Sequence, residues 1–339
     1  MRPRRIGFGL LFIFLVSCGG AGNGDGVTTV RMVVWKPNVP AAWDSALAAF
    51  HSAHPDIKIE REIGPHSSTQ FHDLLTQKLR NHDPSVDVFL MDVIWTPEFA
   101  QAGWARPLGD RFPPAEQSEF FPGCIAADRW RGDIYGVPLN IDAGVLYYRR
   151  DLLDKYGFAP PATWGEMVAQ CDSIRRGEAD SSLVGYSAQF RQYEGLICDM
   201  LEFVQSNGAS LTDPASPAAV RAVRFVRDSI IGHAGTRGLL TYSEQESLDL
   251  FMSGGAVFHR NWPYAWAVCK GSAVAGQVGI ARLPSFEGGA SASALGGWRF
   301  GISPFSKNAD AAWAVVSFFT SPGMQRHFAV SAGRAPARR

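Results

Sequence analysis

The chain lacks a surplus of charge: Lys plus Arg and Asp plus Glu each number 32 in 339 residues. With no basic stripe and no RNA-type aromatic motif, nothing is present to neutralise a phosphate backbone, and no nucleic-acid partner is expected. Cysteine is scarce, with five in all. Beyond Cys18, the residues Cys124, Cys171, Cys198 and Cys269 lie far apart without C-x-x-C spacing, so they read as small buried apolar groups. An exported location would permit a disulfide whose pairing the sequence leaves open. H-E-x-x-H, P-loop, G-x-S-x-G and strand-linked G-x-G-x-x-G motifs are all missing from the body of the chain. His51 and His54 sit at a helix end with no third ligand near them, where the dipole alone favours histidine, so neither metal nor cofactor is expected. After residue 17 no apolar run is long enough to cross a bilayer.

What is present begins with Arg2, Arg4 and Arg5 ahead of the apolar run Ile6 to Val16. A charged start and a short apolar core describe an export signal over residues 1–17, too short for a permanent span. Leu15-Val16-Ser17-Cys18 resembles a bacterial lipobox, which makes Cys18 the expected lipid attachment point; the plainer alternative is an ordinary signal with an incidental cysteine. Acyl chains on Cys18 would hold the protein to the outer side of the cell membrane, and the Gly-rich stretch 18–27 would serve as a flexible tether.

Downstream, strand and helix patterns alternate. Thr29 to Trp35, Ile57 to Glu62 and Val86 to Met91 read as strands, separated by helices marked by Trp43, Leu47 and Phe50 and by Phe71, Leu74, Leu75 and Leu79. That spacing predicts βαβ crossovers and a mainly parallel sheet, with ligands bound beyond the carboxyl ends of its strands, where Asp92 and Trp95 stand. The stretch Pro138 to Asp151 reads as one buried strand interrupted by Asn140 and Asp142. Either a partner within the fold or a hydroxyl-rich ligand must meet those two groups, because unpaired burial is costly. Further on, Thr163 with Glu166 forms a capping-box pattern, Val220, Val223, Val226 and Ile230 mark one apolar helix face, and Ser321-Pro322-Gly323 closes a helix over Ala309 to Thr320.

Trp95, Trp262, Tyr264, Trp266 and Trp298 lie at loops or element ends beside Gly or Pro, outside periodic apolar faces. A pyranose offers one face of C–H groups and a rim of hydroxyls, which suits indole plates edged by carboxylates and amides. The competing reading makes them core aromatics, Trp266 above all.

The runs Asp87-Val-Phe-Leu-Met-Asp-Val-Ile-Trp95, Ile141-Asp-Ala-Gly-Val-Leu-Tyr-Tyr-Arg-Arg-Asp-Leu-Leu153, Gln192-Tyr-Glu-Gly-Leu-Ile-Cys-Asp199, Ser206-Asn-Gly-Ala-Ser-Leu211, Arg260-Asn-Trp-Pro-Tyr-Ala-Trp266 and Leu295-Gly-Gly-Trp298 resemble the trehalose/maltose-binding proteins of ABC importers. Those are members of the family 1 extracellular solute-binding proteins. The resemblance implies a two-lobed periplasmic-binding-protein-like α/β fold (type II) whose hinge-linked lobes close on a sugar. It places 28–140 plus 297–339 in an N-terminal lobe and 141–296 in a C-terminal lobe. It implies a monomeric, lipid-anchored receptor without catalysis that takes a disaccharide or short α-glucoside and delivers it to permease transmembrane subunits. The ligand-facing set it implies is Asp92, Trp95, Asn140, Asp142, Tyr193, Glu194, Trp262, Tyr264, Gly297 and Trp298.

Three departures accompany the resemblance. Asn140 stands where relatives often carry an aromatic residue, and Val39-Pro40-Ala41-Ala42 lacks the acidic ligand some relatives have there. The relatives also continue past Gly333-Arg334, whereas this sequence stops at Arg339, so a C-terminally shortened second lobe with an exposed apolar patch is expected. The rival readings are a glycoside hydrolase using Asp92 and Asp142 as its carboxylate pair, and a truncated fragment that binds nothing.

Overall fold

The structure, a computed structural model, describes residues 26–339. The export signal, Cys18 and nearly all of the tether lie outside the described residues.

Two sheets carry the fold. In the first, Ile57–Ile63, Thr28–Val34 and Val88–Asp92 run parallel, followed by the antiparallel Trp298–Ile302 and the edge piece Val137–Pro138. The parallel trio is what the alternating pattern dictates, with Pro40–Ala53 and Ser68–Arg80 as the crossover helices. Val88–Asp92 is buried along its whole length, as a strand covered on both faces must be. The second sheet orders Val278–Ala281, Val145–Arg149, Ala256–Asn261 and Val184–Ser187, with Val145–Arg149 antiparallel to both of its neighbours. Each sheet has its own core. Phe50, Phe71, Phe89 and Phe319 belong to the first, and Trp164, Tyr186, Phe203 and Ile230 to the second.

Pro138 to Asp151 is not one strand. Pro138 pairs with Arg299 in the first sheet, Asn140 bridges Pro336, Asp142–Ala143 pairs with Leu295–Gly296, and Val145–Arg149 belongs to the second sheet. A helix already begins at Arg150. The stretch passes from one sheet to the other, and each piece pairs with whatever lies alongside it. At Gly144 an added Cβ would lie 2.1 Å from Glu202 Oε1 and 2.6 Å from Arg260 Nη2, so the crossing threads against buried charge where only glycine fits.

Other expectations hold or shift for local reasons. The capping box is present, with Thr163 Oγ1 accepting from Glu166 N at 3.1 Å and Glu166 Oε2 accepting from Thr163 N at 3.2 Å. Val223 is 49% exposed, and its helix is buried through Ala219 and Ala222 instead. Ser321-Pro322 ends one helix and starts Pro322–Ala332, because Ser is as good an N-cap as it is a stop and Pro is tolerated in the first turn. Trp266 is 38% exposed rather than core, with Lys270 Nζ 5.8 Å from its ring.

The last residues return along the first lobe: Ile141 N donates to Ala335 O at 3.0 Å, and Arg338 bridges Phe120. On the second lobe Ile197, Val223, Leu240, Trp266 and Ile280 are exposed apolar residues on separate elements.

Candidate binding cleft

The floor of the cleft is built where the first sheet meets the crossing. Trp298 opens its strand directly opposite Asp92, and its ring stacks on Trp35 with centroids 5.5 Å apart at 24°. Trp35 is held by its indole N–H, which donates to His66 O at 2.7 Å. Beside Trp298, Gly297 has φ +127°, and a Cβ there would lie 2.4 Å from Asn140 O. The backbones of the two crossing segments therefore touch only because this residue is glycine. Trp95 stands behind the floor, edge-on to Trp298 at 5.8 Å, stacked on Phe99 and 5% exposed.

The crossing supplies the acid. Asn140 Nδ2 donates to Asp142 Oδ2 at 2.8 Å, and Arg334 Nη1 donates to Asn140 Oδ1 at 3.4 Å. Asp142 Oδ1 has no partner, although the residue is only 7% exposed. Burial pushes the Asp142 carboxyl above its ordinary range despite the nearby Arg334. Asp92 is pushed well above its range by burial and then by the facing Glu194 charge, against the pull of Arg299. Its one backbone donor is Ile94 N at 3.3 Å. Arg299 itself is occupied by Asp128.

The second lobe contributes the opposite wall. Helix Glu194–Ser206 presents Glu194, Gly195 and Cys198 from its first turns, a position where the helix dipole favours a carboxylate. Burial nevertheless raises Glu194, and the nearby Glu244 charge adds to the rise. Asp92 and Ser68 of the first lobe and Glu194 of the second line the same hollow. Glu244 accepts from Tyr193 Oη at 2.7 Å and from Trp262 Nε1 at 3.4 Å. The Trp262 ring lies against the Arg260 guanidinium, 4.0 Å from centroid to Cζ. Arg260 is in turn paired with Asp199 at 3.1 Å and Glu202 at 2.5 Å.

Between the walls lies about 730 Å³ of empty space, part of it open to solvent. Of the residues singled out from sequence, Asp92, Asp142, Glu194, Trp262, Tyr264, Gly297 and Trp298 line it. Three others do not line it, and each is engaged elsewhere. Trp95 is core, Asn140 spends its amide on Asp142, and Tyr193 spends its hydroxyl on Glu244. Sequence reading missed Trp35, His66, Ser68, Cys198, Glu244 and Arg334. Trp35 was findable, because it directly follows the carboxyl end of the first strand, the end of the parallel pair at which Asp92 also stands. Nothing local marks Arg334, which the far end of the chain brings in. Among the described residues, no group of three or more His, Cys, Asp or Glu is placed to hold a metal, and no helix is long and apolar enough to cross a membrane.

A sequence profile of the bacterial extracellular solute-binding protein family matches residues 36–326. A "Probable ABC transporter-binding protein" of Deinococcus radiodurans is 38% identical over 275 residues, which cover 78% of this chain and 65% of that relative, a little under two thirds of its length. Among solved structures, maltose-bound T. maritima MalE3 superposes with a TM-score of 0.86 at 37% identity, covering 92% of this chain and 82% of the other. A solute-binding protein from Thermotoga lettingae with bound α-D-tagatose gives a TM-score of 0.83 at 21% identity over 92% and 82%, a likeness of fold alone.

Proposed function

The chain belongs to the bacterial extracellular solute-binding proteins, and we propose that it is the sugar-binding component of an ABC importer. On this reading it takes a disaccharide or short α-glucoside such as trehalose or maltose and passes it to the permease intact. The supporting observation is Asp142 Oδ1, a buried acceptor with no protein partner, set in a cleft whose floor is the Trp35–Trp298 stack. An unpaired buried acceptor is costly, and a sugar hydroxyl would satisfy it while the indoles cover the C–H face. The maltose carried by MalE3 at 37% identity supports the same ligand class. Residues 28–140 with 297–339, and 141–296, act as the two bodies that close, and Cys18 carries the lipid anchor.

The family consists of binding proteins rather than enzymes, which sets aside hydrolysis by Asp92 and Asp142. The test is a thermal-shift panel of trehalose, maltose, sucrose and glucose on the whole mature chain. At about a hundred times the dissociation constant, the true ligand adds about 2.7 kcal/mol of stability. A melt that is cooperative but flat across all sugars would reject the reading. A chain showing no cooperative melt by circular dichroism would point to a non-binding fragment.

A further inference from the structure

The acids of the cleft outnumber its cations. Asp92, Asp142, Glu194 and Glu244 line it, against a single guanidinium among the described lining residues, Arg334. Arg334 is directed to Asp142, through Asn140 Oδ1 and through its charge. The other two buried arginines near the cleft are engaged behind the walls, Arg299 with Asp128 and Arg260 with Asp199 and Glu202. His66 also faces the cavity, but burial holds its pKa below the ordinary value, so it is uncharged at neutral pH. Glu244 receives only neutral donors from Tyr193 and Trp262, and Asp92 only a long backbone bond. Three carboxylates from two lobes thus converge on one hollow without a cation between them.

Like charges gathered in a low dielectric repel strongly, and a cation placed among them relieves that cost. Trp35, Trp298 and Trp262 line the same hollow, and an indole face that meets a cation attracts it. Asp142 Oδ1, on a side chain only 7% exposed, is an independent sign that the wall awaits a donor from outside the protein. The described residues provide no cluster fit for a metal ion.

We propose that this cleft is built for a cationic carbohydrate: an amino sugar or amine-bearing oligosaccharide whose ammonium group lies between Asp92 of the first lobe and Glu194 of the second. The inference rests on the sugar-receptor reading and narrows it. A hydroxyl gives these carboxylates a bond charged on one side only, whereas an ammonium adds the attraction of opposite charges in a low dielectric. The corresponding gain in affinity is about tenfold.

The experiment is calorimetric titration of the whole chain at neutral pH with trehalose, with its amine-bearing regioisomers and with their N-acetyl counterparts, which keep the bulk and lose the charge. The expected result is that at least one amine binds about tenfold tighter than trehalose and that its N-acetyl form loses the gain. Glu194→Gln and Asp92→Asn should each shrink the amine-to-neutral ratio. Either variant reads the effect if the other fails to fold, as checked by melting. Neutral sugar binding as tightly as every amine would overturn this inference while leaving the receptor reading standing. Absence of binding by all three classes would overturn this inference, and a thermal-shift panel flat for maltose, sucrose and glucose as well would overturn the receptor reading with it.

Discussion

The two lobes reach the same cleft by different means. The first lobe presents flat indoles seated on the ends of its sheet, backed by aromatic core: Trp298 rests against Trp35, Phe71 and Trp95. The second presents acids from helix starts, Glu194 and Glu244, and one indole, Trp262, backed by a buried charge network rather than by apolar packing. In the first lobe a buried arginine, Arg299, answers one acid, Asp128; in the second, Arg260 answers two, Asp199 and Glu202, with Gln189 Oε1 at 3.1 Å. Packing holds the first wall in place and electrostatics the second, so the walls should fail in different ways.

Removal of the shared cation should show this most strongly. Arg260→Met leaves two acids buried without a counter-charge, and the loss in stability should be about 3–5 kcal/mol, at the top of the range for a broken buried pair. Arg299→Met breaks a single buried ion pair, that with Asp128, and should cost less. Urea melts of the two variants rank them, and equal losses would erase the distinction.

Next in size is the floor. On the proposed function, Trp298→Ala should weaken binding of the proposed sugar by about 1–3 kcal/mol in a titration, through loss of a stacking plate. Unchanged affinity would mean the indole serves the core alone.

Acid should then separate the lobes by sign. Asp128 in the first lobe titrates folded at about 6 against 3.8 for the ordinary group. The folded form thus holds more protons across that window, and stability falls as pH rises through it. His259, buried in the second sheet, is depressed from 6.5 to about 3 by burial. The folded form there holds fewer protons, so stability is lost as pH falls below 6.5. Between pH 7 and 5, Asp128→Asn should lose stability more steeply than the parent and His259→Gln less steeply, each by about 1–2 kcal/mol in melts across that range. Parallel pH profiles for parent and both variants would contradict the assignment.

The smallest effect concerns Val223, which periodicity assigned to a buried face and which is exposed. Val223→Ser should change stability by no more than about 0.5 kcal/mol, measured by the same melts.

How far the sequence could be read follows the range of each signal. The βα alternation and the capping box at Thr163 were legible because a few neighbouring residues decide them. The break-up of Pro138 to Asp151 was not. Its composition is strand-like throughout, while its pairing partners, Arg299, Pro336, Leu295 and Gln277, come from much later in the chain. The same limit applies to the cleft. Asp92 and Trp298 could be placed from the ends of their strands, yet Trp95, equally well positioned in sequence, turned inward to stack on Phe99.

By itself, then, the sequence determined the elements, their order, and the presence of aromatics and acids at loop ends, since periodicity, capping and turn chemistry act over a few residues. Only the tertiary structure decided which of those groups share one hollow. Trp35, Glu194, Glu244 and Arg334 meet there because two sheets and a returning chain end bring distant positions together. Whether a polar atom is paired or left open, as at Asn140 and Asp142, depends on neighbours that no local pattern specifies.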